Sequence, residues 1–115
     1  MDIRLARIYE ESKALEYRVL CDRLWPRGVS KEDAQIQLWA KDITPSDALR
    51  KDYHHEQLSQ EDFTFRYLEE MDQNPHWEAF EEALKGKKSI VLLTASKNLE
   101  RSHLPLIKER LLRSK

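Results

Sequence analysis

The run Ile90-Val91-Leu92-Leu93, followed by Thr94 and Ala95, leaves this chain few choices of fold. On an extended backbone, four consecutive apolar side chains point alternately to both faces, so both faces need cover. That pattern belongs to a strand inside a parallel sheet with helices packed against it. Helix signals flank the run. Trp77, Phe80 and Leu84 share a helical face that stops at Gly86. A last helix is predicted over about 102–113, with Leu104, Ile107, Leu111 and Leu112 as its apolar stripe and Pro105 tolerable only in the first turn.

The rest of the chain fits the same architecture. Residues 3–9 predict a first strand, 10–16 a polar connection and 17–21 a second strand that ends at Asp22. Ser30 is placed to cap a short helix around 31–34, with Asp33 at its third position. Thr44-Pro45-Ser46-Asp47 predicts a helix start with Thr44 as the cap and Pro45 in the first turn. Ser59 opens a third helix, on which Phe63, Tyr67 and Met71 line one face and Asn74-Pro75 is the stop. Strands separated by helices predict one α/β domain over 1–115: three layers, with a mostly parallel sheet flanked by helices. Residues 90–94 are expected as a central strand paired with 17–21.

A chain of 115 residues, 40% hydrophobic and 36% charged, supports one modest core and no second domain. It has only two glycines, Gly28 and Gly86, too few for a Walker loop, a dinucleotide fingerprint or a standard S-adenosylmethionine loop. No serine sits in a nucleophile elbow. Cys21 is the single cysteine, so no internal disulfide is expected, and a cysteine inside a strand reads as a small core residue. His54, His55, His76 and His103 form no recognised metal spacing, and neither a metal nor another cofactor is expected. With no apolar leader at its start and no apolar run of membrane length, the chain is expected to be cytoplasmic and off the membrane. Net charge is −1. Residues 54–84 hold nine acidic side chains against Arg66 alone, and 85–115 hold nine basic against Glu100 and Glu109. That asymmetry reads as two oppositely charged helices side by side; nucleic acid is a partner it allows without favouring it.

One segment carries chemistry. Asp22-Arg23-Leu24-Trp25-Pro26-Arg27-Gly28 follows a predicted strand, at the sheet edge where open α/β domains bind ligands. Pro26 and Gly28 make the turn rigid and sharp. Guanidinium forks recognise carboxylate and phosphate, and the flat Trp25 offers a stacking surface. The competing reading is a structural turn in which Asp22 pairs with Arg23 or Arg27 while Trp25 fills core space. Arg50 either reaches the same anion or pairs with Asp47 or Asp52. His55 is placed as an acid–base candidate or a loop cap. Trp39 reads as core and Lys41 as a solvated charge.

These residues also carry a resemblance. Tyr17-Arg18-Val19-Leu20, the 22–28 segment, Leu38-Trp39 with Lys41, Pro45-Ser46 with Leu49-Arg50-Lys51, His55, Arg66-Tyr67, and Leu92-Leu93 through Ala95 resemble domain-of-unknown-function family 488, in its short YeaO-like group. The likeness covers nearly the whole chain. It implies an α/β fold and brings no settled activity; some members carry a uroporphyrin methyltransferase label, against which the missing glycine loop argues. Members usually show an acidic residue, an asparagine and a small residue after the last strand, where this chain has Asn98, Ser102 and Leu104. That departure favours a binding module, while Asp22 and His55 favour an enzyme. The first reading is an enzyme acting on a phosphorylated or otherwise anionic ligand, a nucleotide or nucleic acid; the second is a non-catalytic module binding a small anion at the same site; the third is a structural motif with no ligand. Arg23, Trp25, Arg27, Ser46 and Arg50 are the expected binding residues, Asp22 and His55 the catalytic candidates. Asp22, Arg27, Arg50 and His55 are expected to converge on one pocket. The oligomeric state is left open.

Overall fold

A computed structural model describes residues 1–11 and 15–113. Its sheet is built from β1 (Asp2–Arg7), β2 (Tyr17–Leu20), β3 (Leu38–Trp39) and β4 (Ser89–Thr94) in the order β1-β4-β2-β3. Every pairing is parallel. The apolar run occupies the interior: β4 pairs with β1 on one side, Ile3 against Ile90, and with β2 on the other, Val19 against Leu92. Ile90, Val91, Leu92 and Leu93 are all buried, as a strand covered on both faces requires.

The two faces are covered unequally. Ile90 and Leu92 of β4 join Ile3, Val19 and Cys21 in the larger core, which also takes its apolar residues from four helices: α2 (Asp47–His54), α3 (Gln60–Gln73), α4 (Trp77–Leu84) and α5 (Leu104–Arg113). Val91 and Leu93 point the other way, with Ala6, Ile8 and Leu20, into a smaller core closed by Ala34 of α1 (Lys31–Ala34) and by Trp25, Val29, Ile36 and Trp39. The third layer is thus one helical turn and a loop. At about 1.5–3 kcal/mol per fully buried large apolar side chain, the four-helix face supplies most of the hydrophobic stabilisation. Arg18 is the exception within that thin layer: it is buried, its Nε donates to Ala34 O at 2.9 Å, and burial lowers its pKa.

Local signals explain most boundaries. Ser30 and Ser59 cap α1 and α3, accepting from the backbone N–H of Asp33 and Asp62. Phe63, Tyr67 and Met71 form the buried face of α3, and Asn74 ends it. Gly86, at φ +81°, follows the end of α4. Pro105 lies in the first turn of α5. Other expectations change: β1 ends at Arg7, short of residue 9, and Tyr9 is exposed. The cap of α2 is Ser46, two residues later than Thr44, which leaves Pro45 before the helix and not in its first turn, because a 3-10 turn at Lys41–Ile43 precedes it and Thr44 closes that turn. Trp39, expected as a core residue, forms with Leu38 an edge strand too short for its alternation to be read. Leu112 is exposed, because Leu104, Ile107 and Leu111 already fill the inward face of α5.

Candidate functional site

Because the strands run parallel, β2 and β4 end at the same edge of the sheet, and their continuations, residues 21–24 and 95–96, lie side by side there. A cavity of about 310 Å³ opens at this edge, the position where α/β sheets bind ligands. Leu24, Pro45, Tyr53, Phe63 and Ala95 give it an apolar wall. Arg23, Arg50, Arg101, His54 and His103 bring basic nitrogens to it. Asp22 is its carboxylate.

Asp22 is locked in place. Its Oδ1 accepts from the Thr94 hydroxyl at 2.6 Å, and its Oδ2 accepts from the Ala95 N–H at 2.8 Å. The Asp22 carbonyl accepts from Trp39 Nε1 at 2.7 Å. One carboxylate therefore ties the end of β2 to the end of β4. His103, immediately before α5, is fixed from the same side: its Nε2 contacts the Cys21 carbonyl and lies 3.8 Å from Asp22 Oδ1. Bonded this way, Nε2 carries the proton and donates. Burial lowers the His103 pKa, as does His54, while the Cys21 carbonyl and Asp22 pull it back up. Cys21 is fully buried, and burial together with Asp22 pushes its thiol far above the ordinary range. A thiol held protonated is a poor nucleophile.

The arginines form the other half of the cavity. Arg23 spends two N–H groups on the loop before α2, its Nε reaching Pro45 O at 3.3 Å and its Nη2 reaching Thr44 O at 3.4 Å. Arg50, one helical turn into α2, keeps a buried Nε with no hydrogen-bond partner. Arg101 lies over the Tyr53 ring, 5.7 Å from its centroid, and the Tyr53 hydroxyl donates to Arg101 O. The other ring contact of Tyr53 is with Phe63, stacked at 4.1 Å. Ser46 sets the direction of α2: its Oγ accepts from Leu49 N–H, while its own N–H and hydroxyl both donate to the Glu70 carboxylate of α3, at 2.8 and 2.6 Å.

The cavity gathers Asp22, Arg23 and Arg50 from the residues singled out in the sequence. Ser46 stands behind it as the cap of α2. Arg27 and His55 do not converge there. Arg27 is exposed on the turn beyond Pro26, and His55 is an exposed C-cap, because the backbone of α2 ends before its side chain reaches the cavity. Trp25 is no free stacking surface: it meets Trp39 edge-on at 5.3 Å, and its Nε1 donates to Val29 O at 2.6 Å. The sequence reading missed Thr94, Tyr53, His54, Arg101 and His103 as parts of the site. Thr94 carried a usable signal, a hydroxyl ending an otherwise apolar strand. The others come from a helix end and a loop that approach the cavity only in three dimensions. Among the described residues, no three His, Cys, Asp or Glu side chains gather as a metal site would.

The fold and site define a small parallel α/β domain with a cationic cleft at the carboxyl edge of its sheet. The family model DUF488-N3i, described as "Inactive DUF488-N3 subclade", matches residues 2–115, and the chain belongs to that family. It is 36% identical over 104 residues to the uncharacterized protein YeaO of Escherichia coli, a match covering 90% of each chain. It is also 36% identical over 102 residues to the uncharacterized protein Rv3073c of Mycobacterium tuberculosis, covering 88% of this chain and 86% of that one. No solved structure gives a significant match.

Proposed function

We propose that this chain is a non-catalytic binding module whose cleft takes a small anion with an apolar body, with Arg50 as its principal anion contact. The observation that carries the reading is Arg50, which lines the cavity and whose Nε is buried just beneath that wall without a hydrogen-bond partner. A buried unsatisfied donor costs about 1–3 kcal/mol, and an anion accepting from it recovers that cost. Arg23 and Arg101 add positive charge beside it, and the wall of Leu24, Pro45 and Tyr53 suits an apolar group.

Three facts support binding over catalysis. Both Asp22 oxygens are engaged, so the carboxylate is a strut between strands. The His103 Nε2 and the Cys21 thiol are equally committed. His55, the expected proton-transfer partner, lies outside the cleft, and the family's description as an inactive subclade agrees.

The test is a titration of the protein with phenyl phosphate, followed by calorimetry or amide chemical shifts. Saturable binding is expected, with shifts at residues 22–24, 50 and 101–103, at least about tenfold weaker in Arg50→Ala, and no phenol released on long incubation. Binding that Arg50→Ala leaves unchanged, or no binding to the wild-type chain, overturns the anion site. Phenol release at a rate that follows Asp22 substitution overturns the non-catalytic part.

A further inference from the structure

Arg23 and Arg50 do not face each other bare. Asp47, in the first turn of α2, stands between them, its Oδ1 3.8 Å from Arg23 Nε and 3.5 Å from Arg50 Nη2. Both contacts are looser than the roughly 2.7–2.9 Å of a charge-assisted hydrogen bond. The Asp47 side chain is 61% exposed. An ion pair this long and this wet is weak, worth roughly 0–1 kcal/mol. Asp47 therefore occupies the gap between the guanidiniums without satisfying them, and the Arg50 Nε donor stays unpaired although a carboxylate lies close by.

We propose that Asp47 is a tethered competitor for the anion site, holding the Arg23–Arg50 gap until a phosphate monoester displaces it. This rests on the anion-binding reading above and adds the class of ligand. A free monocarboxylate brings the same charge and the same two oxygens as Asp47, and it must compete with a group whose effective concentration is on the order of millimolar. It gains little by the exchange. A phosphoryl group brings close to two charges and three acceptor oxygens, enough to engage Arg50 together with the Arg23 N–H groups not spent on Pro45 O and Thr44 O. The displaced Asp47 side chain, already mostly in water, loses little on leaving. Displacing Asp47 lowers the affinity of every anion by the same factor, so the preference for phosphate monoesters over carboxylates comes from the extra charge and the third oxygen, and Asp47 sets how strong an anion must be to bind at all.

The test compares phenyl phosphate with benzoate on the full chain, for wild type, Asp47→Asn and Asp52→Asn. Asp52 is the charge-matched control: like Asp47 it lies on α2 outside the cavity lining, but it pairs with Arg66 at 3.3 Å, whereas Asp47 meets Arg23 and Arg50. Asp47→Asn is expected to tighten phenyl phosphate roughly threefold or more, with Asp52→Asn unchanged and benzoate weaker than phenyl phosphate throughout. Binding seen only in Asp47→Asn overturns the anion site of the wild-type chain, and the proposal with it. Equal tightening in both variants shows a net-charge effect and overturns it. So does weaker binding in Asp47→Asn, or benzoate binding as tightly as phenyl phosphate. If wild type binds phenyl phosphate through Arg50 and Asp47→Asn changes nothing, the competitor falls and the anion site stands. If no variant binds either probe, both fall.

Discussion

Asp22 shows how one side chain carries structure at a place where chemistry was expected. Its position at the end of a strand, on a turn rich in arginine, marked it in the sequence. Its partners were not marked, because Thr94 and Ala95 lie more than seventy positions away and only the parallel register brings them close. The carboxylate takes two donors at 2.6 and 2.8 Å, so removing it orphans a hydroxyl and a backbone N–H near the core. Asp22→Ala is expected to destabilise the fold by about 1–3 kcal/mol. The check is urea unfolding, with a lower midpoint and an unchanged slope. A midpoint equal to wild type would show the two bonds contribute nothing net.

At the scale of elements, the informative junction is the start of α2. A threonine, a proline, a serine and an aspartate in a row gave a helix start with two candidate caps, and local propensity does not choose between them. Tertiary contact does, because the Glu70 carboxylate of α3 grips both the N–H and the hydroxyl of Ser46. This clamp sets the axis of α2 and with it the place where Arg50 enters the cleft. Ser46→Ala is expected to cost about 1–2 kcal/mol, from the lost cap and an orphaned Glu70 oxygen. Ser46→Ala and Glu70→Ala together should cost less than the sum of the single changes, since each removes the same contact. A double-mutant cycle on unfolding free energies checks this, and strict additivity would mean the clamp is not coupled.

For the whole molecule, the sheet is held by helices on one face and by one short turn on the other, and His103 sits where the end of β2, β4 and α5 meet. The charged and titratable groups around it are Asp22, Cys21 and His54, with the Tyr67 ring edge-on at 6.3 Å. Its folded pKa lies below the ordinary value of about 6.5, so the unfolded chain takes up the proton first. The contribution of neutral His103 is therefore full above about pH 6.5 and is lost as pH falls towards the folded value. Urea unfolding at pH 7.5 and at pH 5.5 is expected to show a larger loss for wild type than for His103→Gln, which keeps an N–H donor but has no proton to gain. Equal losses would remove His103 from the acid sensitivity of the fold.

The sequence alone determined what is local or periodic. It determined the buried central strand from four consecutive apolar residues, the capped starts of α1 and α3, the buried face of α3, and the rigid turn after β2. Each of these is set by neighbours within a few residues, through backbone sterics, capping hydrogen bonds or the helical repeat. It also marked Asp22, Arg23 and Arg50, which come to one cavity because a strand end and a helix start converge at the carboxyl edge of a parallel sheet. The packing of distant elements leaves Arg27 and His55 outside the cleft, seats Trp25 against the smaller core and brings Arg101 and His103 to the cavity. Which way a side chain faces at the end of a turn or helix depends on the packing of distant elements. The spacing of residues along the chain does not contain that information.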